Sequence, residues 1–270
     1  MRPEEPTDAE VVRILRDLAF AETLEAVWST FCAAASRFGF DRINYAYAPR
    51  LVDPRRPSRS GRFTLSSHPD RAVLAAYRGT ALDRSPMRRW AAENHGAISW
   101  SEQPRLLRLY GMEAEGPALR ALLDGLGLHA GWTIGFPPGS RADKGAMGLT
   151  ARAGTTQAEA DAMWARRGPA LEALAGAAHG RMARMPLPIG PEALTPLQRE
   201  VLGWIADGKT TRDAATLTSL SVSRVEKVLR EARAVLGVET TAQAVARVAL
   251  CNQLSVPGRD APARAAHSAA

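Results

Sequence analysis

Apolar residues recur at helical spacing from Asp8 to Phe38, as Val11, Ile14, Leu15 and Leu18 and then Leu24, Val27, Trp28 and Phe31, with Glu22 and Thr23 interrupting. The pattern predicts two helices. DRINYAYAP (41–49) and GRFTLSSHP (61–69) read as strands on either side of the polar, proline-rich loop DPRRPSRSG, an arrangement that predicts an antiparallel pair. Helical spacing returns over 70–128, broken near GAISW (96–100). HAGWTIGFPP (129–138) and KGAMGLTARAG (144–154) then supply two more strands joined by the polar turn GSRAD. Helices, an antiparallel sheet and further helices predict an α/β/α sandwich of the α+β class.

Thr156 and Glu159 stand at capping-box spacing and open a further helix that runs through Leu171, Leu174 and Met182, with Gly168-Pro169 expected to kink or restart it. After Met185 the run PLPIGPEA, with three prolines and a glycine, cannot hold a regular element. The expected organisation is therefore a first domain over 1–185, a linker over 186–193, a second domain over 194–256 and a disordered tail over 257–270.

The second domain reads as four short helices, each break having a local cause. Thr195-Pro196-Leu197-Gln198 places a cap, a first-turn proline and a capping-box partner ahead of the stripe Leu197, Val201, Trp204, Ile205, which makes Trp204 a core residue. Gly208 ends that helix; Thr210 and Asp213 cap the next; TSLS turns the chain; and Ser221 caps a segment in which Val222, Val225, Val228, Leu229, Ala232, Val235 and Leu236 share one face. Gly237 stops it and Thr241 begins the last helix. Short helix, tight turn and amphipathic helix with Arg224, Lys227, Arg230 and Arg233 on its exposed side is the helix-turn-helix plan, which lays the second helix in a major groove. Lys209 and Thr210, at a helix start, are candidates to hold a phosphate. The alternative is a solvated basic face on a small helical bundle.

Composition narrows the class. The chain is 270 residues long with a net charge of +7, which favours an acidic partner, nucleic acid first and an anionic membrane surface second. Residues 190–270 hold 10 Lys and Arg against 8 Asp and Glu, so only +2 of that charge lies in the second domain. Cys32 and Cys251 are too few and too far apart for a disulfide framework, and the acidic amino terminus is unlike a signal peptide; a soluble, cytoplasmic protein without a membrane partner is expected. GLGLHAG (125–131) misses the dinucleotide fingerprint spacing, and the histidines at 68, 95, 129, 179 and 267 show no metal-ligand spacing. Neither a cofactor nor an enzyme is expected.

The segment LTPLQREVLGWIADGKTTRDAATLTSLSVSRVEKVLREARAVLGVETTAQAVARVAL resembles, without gaps, the LuxR-type helix-turn-helix domain. That resemblance implies a DNA-binding domain dimerising through its last helix, so that two reading helices meet a two-fold symmetric site on double-stranded DNA. The family pattern carries a basic residue where Glu226 stands; a carboxylate there repels phosphate but accepts a hydrogen bond from cytosine N4.

The preceding domain, through GAISWSE, GLHAGWTIGFPP and KGAMGLT over residues 10–185, resembles the autoinducer-binding domain of quorum-sensing LuxR regulators, receptors for acyl-homoserine lactones. Trp100 falls on a family tryptophan. The Trp, Tyr and Asp that the family uses to hold the lactone and amide are replaced, in an ungapped match, by Ala72, Ala76 and Ser85, with Tyr77 one residue out of register. Tyr45, Tyr77, Ser85, Trp100 and Thr133 are the candidate ligand residues. The readings are a receptor for an acyl-homoserine lactone, a receptor for a different and less polar ligand, a regulator that dimerises without ligand, or a degenerate member. The expected function is a homodimeric transcriptional regulator; the alternative is an antiactivator that heterodimerises with a related regulator and binds DNA poorly.

Overall fold

A computed structural model of the chain describes residues 5–48, 63–78, 82, 85–137, 144–187 and 194–254. They fall into two compact units that part after Met185. The tail at 257–270 and most of the 186–193 linker lie outside the described residues.

The first unit begins with helices α1 (Asp8–Phe20) and α2 (Leu24–Arg37), separated where Thr23 leaves the helical conformation and caps α2 through Ala26 N. Strands β1 (Phe40–Ala48) and β2 (Phe63–Ser66) follow, then helices α3 (Arg71–Arg78) and α4 (Pro86–Glu93). Strand β3 (Gly96–Ser99), a 3-10 turn at Trp100–Glu102, helix α5 (Gln103–Leu109) and helix α6 (Gly116–Gly125) lead to β4 (Gly131–Phe136) and β5 (Lys144–Ala151). Helix α7 (Gln157–Met182) closes the unit. The five strands pair antiparallel in the order β2-β1-β5-β4-β3. With α1, α2 and α7 against one face and α4 to α6 against the other, the unit is an α/β/α sandwich of the α+β class.

Two expectations are corrected. GAISW, read as a break between helices, supplies the edge strand β3, entered through Gly96 at φ +91°. Of the two outcomes expected at Gly168-Pro169, the restart does not occur: α7 continues as helix through both residues. The Trp164 indole lies over Gly168, where an added Cβ would meet it at 2.5 Å, and stacks on Trp132 at 4.4 Å between ring centroids. Packing of Trp164, Leu171 and Leu174 holds the helix together past the backbone bond that proline removes.

Because helices cover both faces of the sheet, alternate residues of the central strands meet different interiors. Tyr45 and Phe136 meet α7 at His179: Tyr45 Oη lies 2.9 Å from His179 Nδ1, and Phe136 stacks on the same imidazole at 4.2 Å. Burial pushes the Tyr45 phenol well above its ordinary pKa. Asn44, Thr133, Gly148 and Ala146 lie at the other parity and face α4 to α6.

The second unit contains α8 (Pro196–Ala206), α9 (Thr211–Leu217), α10 (Val222–Leu236) and α11 (Thr241–Leu250). Capping boxes at Thr195, Thr210 and Thr240 start three of them, and Ser221 caps α10. Gly208 at φ +80° and Gly237 at φ +64° take the left-handed conformation at the expected stops, while the turn into α10 places non-glycine Ser219 at φ +56°. Val201, Leu202, Ala214, Val225, Val228, Leu229 and Val248 form the core. Trp204, expected there, is half-buried. Leu187 N donates to Cys251 O and Gln253 Nε2 donates to Leu187 O, so the start of the expected linker is tied to the end of α11.

Candidate ligand pocket and candidate nucleic-acid interface

A cavity of about 90 Å³ opens between the sheet and the α4 to α6 layer. Its floor is a rank of residues in register across three strands: Asn44 on β1 pairs with Gly148 on β5, which pairs with Thr133 on β4. The adjacent rank, Ala46, Ala146 and Gly135, also carries little side chain. Gly135 is required: a Cβ there would lie 2.5 Å from Asn94 O and 3.1 Å from Ala91 O, because the end of α4 presses on the strand. Leu82, Met87, Leu123 and Leu128 supply apolar walls.

The polar groups are few. Trp100 Nε1 donates to Thr133 Oγ1 at 2.9 Å. Its position is fixed from outside the cavity, where Gln157 of α7 receives Gly131 N–H at 2.9 Å and gives hydrogen bonds to Gly131 O and Ser99 Oγ. Gln157 thereby stands in for a strand neighbour at the entry of β4 and ties it to the strand that delivers Trp100. Ser85 occupies the N-cap position of α4 but makes no capping bond with its hydroxyl, and it lines the cavity with Arg88 and Gln103. Among the described residues lining the cavity there is no carboxylate. A mostly apolar slot with a small set of polar groups is the usual form of a small-molecule site.

Three of the five candidate ligand residues, Ser85, Trp100 and Thr133, thus come together. Tyr45 does not join them, because its parity on β1 sends it to His179 on the opposite face. The Tyr77 side chain lies outside the described residues. Ala72 is exposed and Ala76 half-buried, and neither lines the cavity. Asn44, Arg88 and Gln103 went unread in the sequence. Asn44 alternates with apolar neighbours as a solvent-facing strand residue would, and only the second helical layer buries it.

Residues 23–182 match the family model described as the autoinducer binding domain. The chain belongs to that family. Among solved structures, Escherichia coli SdiA is 18% identical, with a TM-score of 0.50 over 91% of this chain and 98% of that one. SdiA in complex with octanoyl-rac-glycerol is likewise 18% identical, with a TM-score of 0.51 over 91% and 96%. The N-acylhomoserine lactone dependent LuxR family transcription factor CepR2 from Burkholderia cenocepacia is 23% identical, with a TM-score of 0.49 over 65% and 96%. At 18% identity the likeness to SdiA is one of fold. No curated protein matches the chain. In this autoinducer-binding-domain protein the cavity lies wholly within the matched segment.

In the second unit Arg224, Glu226, Lys227 and Arg230 are all exposed on α10, opposite the buried stripe Val225, Val228, Leu229, Ala232. At roughly 100° per residue, Lys227 and Arg230 fall in the middle of the exposed face and Glu226 on its flank. Lys227 Nζ lies 3.8 Å from Glu231 Oε1. Arg233, counted in the sequence with the exposed cations, donates to Thr241 Oγ1 at 2.9 Å and joins α10 to α11. At the start of α9, Asp213 already occupies the donors assigned to a phosphate: its carboxylate accepts from Thr210 N at 2.9 Å and from Thr210 Oγ1 at 2.6 Å. These bonds, the hydroxyl's first, hold the Asp213 carboxyl below its ordinary pKa. An anion approaching there meets a carboxylate, which leaves Lys209 as the attractive group. No described helix is long and apolar enough to cross a membrane. Among the described residues no cluster of His, Cys, Asp and Glu could hold a metal.

Proposed function

We propose that the protein is a cytoplasmic, homodimeric transcriptional regulator of LuxR type, not an enzyme, in which a small amphiphile bound over the Asn44, Gly148, Thr133 floor controls a helix-turn-helix domain reading double-stranded DNA through α10. The observation that carries the ligand half is a mostly apolar cavity within the family-matched segment, with the Trp100–Thr133 pair in its lining. Lining in which the described acceptors are neutral, with no carboxylate, supports a ligand other than a standard acyl-homoserine lactone, whose amide N–H is met most strongly by an anionic acceptor. The SdiA complex with octanoyl-rac-glycerol is a precedent of this fold holding a neutral acyl ligand. Ligand acts by shifting the balance among folded, dimeric and DNA-competent states and not by a chemical step.

Lys227 and Arg230 at the centre of the exposed α10 face support groove binding, with Arg224 and Glu226 at its margins and Lys209 toward the backbone. A second reading, an antiactivator that pairs with a related regulator, is favoured by the Asp213 carboxylate at the α9 start and by Glu226. Selection of purified full chain on pooled random duplexes across a salt series separates the two. Enrichment of a sequence with a steep salt slope is the expected result; no enrichment, together with a stable complex with a related regulator, would sink the DNA-reading half.

A further inference from the structure

Asn44 is 1% exposed, and its Nδ2 is a buried donor without a hydrogen-bond partner. The orientation of the carboxamide is set from the neighbouring strand. Ser66, its register partner on β2, donates through Oγ to Asn44 Oδ1 at 2.6 Å, while that same Oγ accepts from His68 N at 3.1 Å. The acceptor end of the amide is thereby used, the donor end has no partner, and Asn44 is among the residues that line the cavity. The next residue of the rank is Gly148, so no side chain stands between Asn44 and Thr133, two strand spacings or roughly 10 Å away. Buried polar groups are ordinarily paired, and an orphan donor on a residue that lines a cavity calls for an acceptor.

We propose that Asn44 is the specificity-determining donor of the pocket and that the ligand is an acyl amphiphile whose carbonyl oxygen accepts from Asn44 Nδ2 across the gap left by Gly148. This rests on the pocket reading above and goes further by naming the head-group chemistry. The described polar groups near the space favour an acceptor head: Trp100 Nε1 is committed to Thr133, Ser85 and Gln103 are neutral, Arg88 is cationic, and none carries a carboxylate to receive an N–H. An ester or carboxylate carbonyl fits that set.

The test compares octanoylglycerol with its ether counterpart octylglycerol, which keeps the chain and hydroxyls and lacks the carbonyl, by calorimetric titration of the full chain and of Asn44→Ala. The wild type is expected to bind the ester at least about tenfold more tightly than the ether, and Asn44→Ala to bring the ratio to about one. Equal affinities in the wild type overturn the proposal, as does a ratio that survives in Asn44→Ala. Where Asn44→Ala fails to fold, the ratio is read in the near-isosteric Asn44→Leu, which also lacks the donor; a ratio that survives there overturns the proposal. Binding of neither probe overturns the pocket reading beneath it, an outcome distinct from failure of Asn44 alone, which leaves both probes bound equally.

Discussion

Trp100 and Thr133 are 33 residues apart and belong to different elements, yet the indole N–H of the first meets the hydroxyl of the second at 2.9 Å in the lining of the cavity. Thr133→Val keeps the shape of that residue and removes the acceptor. Because Trp100 is half-buried, the unpaired N–H is expected to cost about 1–2 kcal/mol of stability, toward the low end for such groups. Urea unfolding checks this, and an unchanged midpoint means the bond holds nothing.

Gly135 lets the end of α4 rest on β4. Gly135→Ala pushes a methyl group against the carbonyls of Ala91 and Asn94, neither of which is the flexible end of a side chain. A loss of about 1–3 kcal/mol is expected, with displacement of the helix that carries Met87 and Arg88. Thermal unfolding and ligand titration should fall together; a variant as stable as the wild type would mean that α4 sits farther from the sheet.

Glu10 closes the capping box of α1 with Thr7 and reaches Arg37 of α2 at 2.9 Å. The Thr7 backbone N–H, followed by Arg37, holds the Glu10 carboxyl at about 2, below its ordinary value of 4.5. A depressed carboxyl stabilises the fold above its unfolded pKa and loses that contribution as pH falls from 4.5 toward about 2. The melting-temperature difference between wild type and Glu10→Gln is expected to be largest near neutrality and to close in that acid window. A difference that stays constant through it contradicts the assignment.

On α10, Lys227→Ala and Arg230→Ala should each weaken DNA binding across sequences and lower the salt slope by about one if they meet phosphate. Glu226→Arg should tighten binding and steepen the slope, since a flanking carboxylate gives way to a cation. Electrophoretic mobility shifts over a salt series measure both. An unchanged slope in all three variants would mean that this face does not meet the duplex.

Much of the local structure was legible because its causes are local. Thr156, Thr195, Thr210 and Ser221 cap helices where their spacing to a capping partner or an apolar stripe says they should, and Gly208 and Gly237 supply left-handed stops. What escaped depends on tertiary context. Strand β3 has four residues and takes its identity from pairing with Ile134 and Thr133, not from its own composition. Alternation along β1 separates Asn44 from Tyr45 but does not say which parity faces the ligand layer when both faces are covered. Tyr45 was therefore a candidate and Asn44 was not, although Asn44 lines the cavity and Tyr45 meets His179 on the other face. Glu226, singled out in the sequence by its charge, lies on the flank of the exposed α10 face once the helical turn is taken into account.

The most direct test of the account fills the pocket without touching its polar groups. Ala146 lies on the cavity floor, and Ala146→Leu should occupy the slot while the fold and its circular dichroism remain. Isothermal titration with octanoylglycerol is expected to show saturable one-to-one binding to the wild type and a loss of at least about tenfold in the variant. Equal binding by both proteins, or none by the wild type, would contradict a ligand site over the Asn44, Gly148, Thr133 floor.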